Sequence, residues 1–403
     1  MNKQNNDYIL HNPTGKKRMG LALLLGLLAI MGPLNIDMYL PSFPGIAQDL
    51  GTSPSLVQVS LTACLLGLAF GQVVIGPLSD AQGRKRPLLV STSLFVVASL
   101  ICALAPNIHV LIAARFLQGF TASAGVVLSR AVVRDVFSGR ELSKFFSLLM
   151  VINAVAPMAA PIAGGGILLL PFASWHTIFL FLAVLGILIV IIVAVSLRET
   201  LPHAQRIPSS GAATLRTMGG LITDRSFIGY AVLVGFVHGG SFAYVSGTPF
   251  IYQGIYGVSP QAFSILFGIN GIAIIIGSFL IGRLGGVIHE KKLLKTAVII
   301  AVSATFILLI MTIIEGPLAA IVILIFIYMT TMGMTITSTF TLGMSEQGHR
   351  AGSASAVLGM LPLLLGALFS PLAGVNEASA VPMGVILFST SSIGLIAYFK
   401  LIK

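Results

Sequence analysis

The sequence predicts an all-α membrane protein of twelve transmembrane helices in two pseudo-symmetric six-helix bundles. Three observations lead there. Of 403 residues, 56% are hydrophobic and 9% charged, which leaves too little polar material to cover a soluble globule of this length. The apolar residues gather into twelve stretches, each close to the ~20 residues that a spanning helix needs. A polar segment, Glu199 to Asp224, is much longer than any other connection and divides the stretches six and six.

The stretches cover residues 17–42, 55–79, 86–105, 108–134, 142–168, 174–198, 225–252, 259–285, 291–314, 317–341, 350–375 and 380–402. They are continuously apolar rather than alternating, and their Gly and Pro content suits membrane helices, which excludes a membrane barrel. The first follows Lys16, Lys17 and Arg18; its apolar run is too long for a secretory signal and no small-x-small site ends it, so it reads as a retained helix. The second leads into the charged turn GPLSDAQGRKRP, Gly76 to Pro87. The fourth carries a lone cation, Arg115. In the fifth, Ala154, Ala156, Ala159, Ala160, Ala163 and Gly164 permit close helix approach, while Pro157 and Pro161 free carbonyls. The eighth ends in GRLGG at 282–286, where the first half has its charged turn. Thr330, Thr331, Thr335, Thr337 and Thr339 of the tenth either hydrate a cavity or bond back to their own helix. In the eleventh, Ser353, Ser355, Gly359, Pro362, Gly366 and Pro371 form a counterpart to the fifth. Residues 1–198, the linker 199–224 and residues 225–403 are the expected divisions, a plan that builds a midplane site opening alternately to either side.

Cation placement predicts orientation. With the N-terminus inside, every Lys and Arg except Arg115 falls in a tail, loop or helix end on the cytoplasmic side, which places both termini in the cytoplasm of a cell-membrane protein. The net charge of +11 follows from this topology and calls for no nucleic acid. Cys64 and Cys102 lie inside helices as packing residues, without a disulfide framework. No metal-ligand cluster, phosphate-cradling loop or nucleophile elbow is present, so no metal, cofactor or enzyme activity is expected. The seven histidines are scattered, mostly at helix ends.

Four motifs resemble one family over essentially the whole chain. Gly76, Asp80, Gly83, Arg84 and Lys85 match the loop between helices two and three of the major facilitator superfamily, and Arg115, Gln118, Gly119 and Gly125 match its fourth-helix pattern. PMAAPIAGG, Pro157 to Gly165, is similar to the fifth-helix motif of drug:proton antiporters, with Ala156 where a glycine is usual. NIDMYLPSFP, Asn35 to Pro44, and RAVVRDVF, Arg130 to Phe137, resemble the bicyclomycin/chloramphenicol-resistance branch. The resemblance implies a monomeric antiporter that exports a small drug-like molecule in exchange for protons. Proton-linked uptake of a metabolite uses the same fold and is the competing expectation, with a membrane receptor or scaffold more distant.

The residues themselves leave alternatives. Asp80 either latches neighbouring helix ends, with Arg84 and Arg134 as partners and Gly76 and Gly83 shaping the turn, or serves the turn locally. Asp37 is the single carboxylate expected within the bilayer, where an ionisable group defaults to function. It lies roughly 8 Å below the outer end of its helix and Arg115 roughly 10 Å below its own, at ~1.5 Å per residue. Asp37 therefore carries a proton, pairs statically with Arg115, or caps a helix end. For Arg115 the family resemblance implies proton coupling through water or Gln118, and the alternative is a strut that braces backbone carbonyls of a broken helix. Pro157, Pro161, Gly164 and Gly165 form a hinge or seal, or simply pack. Tyr39, Gln118, Asn153, His238, Phe242, Tyr244 and Asn270 are the candidate substrate contacts, although residues of these types at such depth more often pack or join helices than touch a ligand.

Overall fold

The computed structural model describes residues 13, 15–206, 219–221, 224–285, 287–345, 347, 351–376 and 378–402. Linker residues 207–218 and 222–223, with Pro208, Ser209, Ser210 and Arg216, lie outside these, as do Gly286 and Arg350. Among the described residues, twelve helices are long and apolar enough to cross a membrane. They are α1 (Gly15–Asp37), α3 (Pro54–Gln82), α4 (Lys85–Ala103), α5 (Ile108–Val136), α6 (Gly139–Ile167), α7 (Trp175–Ser196), α8 (Arg225–Phe250), α9 (Pro260–Leu284), α10 (Glu290–Ile313), α11 (Leu318–Ser345), α12 (Ala351–Phe369) and α13 (Val381–Ala397). A short α2 (Phe43–Asp49) extends the first span.

Local chemistry sets the ends. Ser53 accepts a hydrogen bond from Leu56 N at 3.3 Å ahead of Pro54, and Ser259 does the same for Ala262 ahead of Pro260. Asn107 caps α5 through Val110 N at 3.0 Å. The first span departs from one unbroken helix over 17–42: α1 stops at Asp37, and a 3-10 turn (Leu40–Ser42) and α2 follow. Pro41 explains the stop, because it lacks the N–H that would bond the Asp37 carbonyl and its ring crowds that carbonyl. Pro157 and Pro161, by contrast, sit inside a continuous α6.

Helices α1 and α3–α7 pack mainly with one another, as do α8–α13. The same device recurs in both sets. Gly67 and Gly71 of α3 lie on the backbone of Phe116 and Phe120 in α5, and Gly119 lies on Cys64; Gly277 of α9 lies on Thr330 of α11, and Gly333 on Ile274. An added Cβ at any of these would overlap backbone, so glycine permits the approach. Large apolar side chains such as Val90, Val184 and Phe279 point outward, where lipid rather than water accepts them. Four of the five tenth-span threonines bond back to their own helix, the local alternative for that run.

The two sets meet through α6 with α9 and α3 with α12. Four hydrogen bonds among the described residues cross between them: Ser55 Oγ to Pro371 O at 3.2 Å, Gln58 Nε2 to Ser246 O at 3.2 Å, Thr62 Oγ1 to Ala367 O at 3.1 Å and Gln253 Nε2 to Pro41 O at 3.1 Å. All lie toward the end of the bundle that holds α2. At the opposite end, which carries Arg84–Arg86 and is termed the basic end, no ion pair or hydrogen bond between the sets occurs among the described residues.

Candidate functional site

Asp37 occupies the break at the end of α1. It is 6% exposed, its carboxylate has no hydrogen-bond partner among the described residues, and it forms no ion pair with Arg115. It lies within electrostatic reach of Tyr244, from the other helix set, and of Cys64. Similar depth on two helices is therefore not pairing: the cation turns to a neighbour two residues before the acid.

Arg115 is fully buried. Its Nη1 donates to Asn35 Oδ1 at 2.6 Å and to Gln118 Oε1, and its Nη2 donates to Asn35 O at 2.7 Å. The last carbonyls of a helix lack intrahelical donors, and the break after Asp37 makes Asn35 O one of them; a cation is the natural partner at that end. The guanidinium also lies 4.2 Å from the Tyr39 ring centroid and 5.6 Å from that of Phe179. A cation over an aromatic face contributes ~0.5–2 kcal/mol, more where water is excluded. Gln118 passes the network on, donating to Ser99 Oγ at 2.8 Å and accepting from Cys102 Sγ at 3.6 Å; Asn35 donates to Cys64 Sγ at 3.1 Å. This is the bracing geometry for a broken helix, and it draws both cysteines in as polar partners.

Next to the acid, α6 closes on α1. An added Cβ on Gly164 would fall on Met38 O, and one on Gly165 would fall on Ser264 Oγ of α9. Adjacent glycines thus hold α6 against the residue that follows Asp37 and against the other helix set. Pro161 and Pro157 lie one and two turns away, respectively, in the same helix.

At the basic end, Arg84 is 2% exposed and forms a cluster. It donates from Nη1 to Asp80 Oδ1 at 2.6 Å and Ser79 Oγ at 2.7 Å, and from Nε to Asp135 Oδ2 at 2.8 Å. Burial pushes its guanidinium down in pKa, but the bonds to Asp135 and Asp80 outweigh that and hold it above its usual value. Arg134, expected as a partner, is exposed and forms no ion pair among the described residues; its neighbour Asp135 points inward instead. Gly83 has φ +91°, and a side chain there would strike the Glu199 carboxylate. Glu199 accepts from the backbone N–H of Arg84 at 2.7 Å and of Lys85 at 3.3 Å, capping α4. Gly76 has room for a Cβ, 3.7 Å from Val127.

The substrate-contact candidates separate. Tyr39 and Gln118 belong to the Arg115 network. Tyr244 accepts from Asn270 Nδ2 at 2.7 Å and stacks on Phe267, while Asn270 Oδ1 is buried without a partner among the described residues. His238 stacks on Phe242, its ring making no hydrogen bond among the described residues. Asn153 bonds back to Leu149 O in its own helix. Asn35, Asp135 and Glu199 were missed as site residues; the helix-breaking Pro41, which lies inside what the sequence reading takes as one unbroken span, is the signal that could have found Asn35.

Residues 25–371 match the family model described as Major Facilitator Superfamily. The chain is 70% identical over 395 residues to the MFS-type transporter YdgK of Bacillus subtilis (strain 168), covering 98% of each chain. It is 32% identical to the bicyclomycin resistance protein homolog of Haemophilus influenzae (strain ATCC 51907 / DSM 11121 / KW20 / Rd), covering 94% of this chain and 95% of that one. In fold it matches a bacterial homologue of the lysosomal transporter Spinster with a TM-score of 0.74 at 14% identity, covering 96% of this chain and 98% of that one. A D-xylose-proton symporter gives a TM-score of 0.74 at 15% identity, over 96% and 98% of the two chains. Twelve spans, glycine-mediated packing repeated in both helix sets and these matches together make the chain a member of the major facilitator superfamily, a multi-pass secondary transporter and not an enzyme.

Proposed function

We propose that the protein exports small drug-like molecules in exchange for protons, by rocking residues 1–198 against residues 225–403 about the linker 199–224. The observation that carries the reading is Asp37: a buried carboxylate without a partner among the described residues, at a helix break, beside the α6 glycines and within electrostatic reach of Tyr244 across the interface. A charge kept from water and from any counter-ion is costly, so its protonation is coupled to how much water reaches it. Arg115 supports this site by holding Asn35, and with it the end of α1; Gln118 fixes the arginine. The relatives at about 30% identity add support, since two are named for bicyclomycin and multidrug resistance.

The basic end faces the cytoplasm with both termini, and the state described here is joined on the opposite side, so it loads cargo from within. Cargo entry displaces the Asp37 proton to the cytoplasm. The α6–α9 and α3–α12 contacts then part, cargo leaves outward, and a proton from outside resets the acid. The Arg84 cluster with Asp80 is the resting form of a latch that re-forms against the other half when the basic end closes, and the protein works as a monomer. One proton entering across ~100 mV supplies ~2.3 kcal/mol, and one pH unit adds ~1.4 kcal/mol. Together these sustain a gradient of several hundred-fold for a neutral solute.

The test is proton release from purified protein on addition of a panel of antibiotics, with wild type and Asp37→Asn compared. A ligand that releases protons from wild type and none from the variant is the expected result. Resistance that persists in cells after an uncoupler collapses the proton gradient would overturn the reading.

A further inference from the structure

Beyond transport, the basic end holds a pocket of about 490 Å³ at the start of α4. Lys85, Arg86, His203 and Arg206 line it on the polar side and Leu89 and Val90 on the apolar side. Its one carboxylate, Glu199, is committed to backbone, accepting from the N–H groups of Arg84, Lys85, Thr200 and Leu201. The pocket is therefore left with a cationic surplus. Among the described residues, Arg86 is exposed without a partner and Arg206 Nε is buried without an acceptor. The remaining Arg206 contacts are its bond to His203 Nε2 at 3.0 Å and a loose approach to Glu199 at 4.0 Å.

The apolar wall does not end at the pocket. Val90, Leu94, Val97 and Ile101 recur at helical spacing along α4 and are 53%, 43%, 48% and 40% exposed. They form one stripe running from the cationic pocket down the lipid-facing side of a spanning helix. A free anion would use the cations and leave the stripe idle, whereas a lipid uses both.

We propose that this pocket holds the phosphodiester headgroup of an anionic phospholipid from the leaflet on the basic side, with an acyl chain along the Val90–Ile101 stripe. Arg guanidinium groups suit phosphate oxygens through paired N–H donors, and each basic residue near an anionic membrane surface strengthens association about fivefold.

Native mass spectrometry of the full chain, carried through delipidation and then titrated with phosphatidylglycerol or phosphatidylcholine, tests this. Wild type is expected to retain one phosphatidylglycerol in preference to phosphatidylcholine, Arg86→Gln to bind it about fivefold more weakly, and R86Q/R206Q about thirtyfold more weakly. Val90→Trp, which fills the pocket with every charge kept, is expected to lower retention as well. Arg86 is exposed and unpaired among the described residues, so its single variant leaves the fold intact and keeps the test decisive if the double variant does not fold. Equal retention by wild type and Arg86→Gln overturns the proposal. So does equal retention of phosphatidylcholine, or complete displacement of the lipid by excess inorganic phosphate, which would mark a site for free anions.

Discussion

Arg84 and Arg115 are both buried cations, yet they are satisfied in different ways, and substitutions should separate them. Arg84 depends on carboxylates. Asp135→Asn leaves an inaccessible guanidinium short of its main counter-charge and should destabilise the protein by ~1–3 kcal/mol. Asp80 is 44% exposed, so Asp80→Asn should cost at most ~1 kcal/mol. Thermal unfolding in detergent, followed by labelling of Cys64 and Cys102 with a thiol-reactive fluorophore, reads both, because both thiols are buried in the folded state. Arg115 depends on neutral oxygens fixed by a forked geometry that Lys cannot reproduce. Arg115→Lys should cut transport about tenfold or more, equivalent to at least ~1.4 kcal/mol, with normal protein levels in the membrane; unchanged efflux of a substrate dye would argue against the bracing role. Arg84 stands out in the sequence as part of the charged turn Gly76 to Pro87, and Arg115 by its improbability in an apolar setting. Asp80 and Gln118 were legible as neighbours three or four residues away, but Asp135 and Asn35 were not, since that depends on which side of a helix faces inward: Asp135 turns in and Arg134 out although they are adjacent.

At the scale of elements, the fifth span shows why small residues need a structure to be interpreted. Three successive glycines, Gly164 to Gly166, look alike in sequence, but their surroundings grade them. Gly164→Ala places a methyl against a main-chain carbonyl that cannot move without shifting α1. Gly165→Ala meets a serine hydroxyl that can rotate, and Gly166→Ala meets open space. Spin-label distances across the α2 end should therefore widen for Gly164→Ala, change little for Gly165→Ala and stay as in wild type for Gly166→Ala. Equal responses from the three would remove the α6–α1 contact from the account. The span positions themselves were legible because a bilayer imposes length and composition on each one. The break inside the first span was legible only in part: prolines at 41 and 44 announce it, but where the helix stops and which carbonyl it frees depend on the register of Pro41 with Asp37.

For the whole molecule, four hydrogen bonds between the halves at the α2 end, and none at the basic end among the described residues, make a cross-linking experiment informative. Thr62→Cys with Ala367→Cys joins α3 to α12 where a hydrogen bond of 3.1 Å already holds them. A short thiol cross-linker should abolish transport, and a cleavable one should allow recovery on reduction; native Cys64 and Cys102 are buried and do not compete. Continued transport by the cross-linked protein would show that these helices need not part. The overall plan could be read from hydropathy and charge, whereas the contacts between halves could not, because they arise between residues about 190 to 320 positions apart with no local signature.

All four of those contacts share one chemical feature: a side-chain donor on one half meets a main-chain oxygen on the other. Every amino acid brings such an oxygen, so mutation at 41, 246, 367 or 371 leaves the acceptor in place so long as the backbone keeps its path. Selection can therefore rework the lining near these positions toward new cargo without dismantling the closure, and only the donors at 55, 58, 62 and 253 are held to a narrow choice of residue.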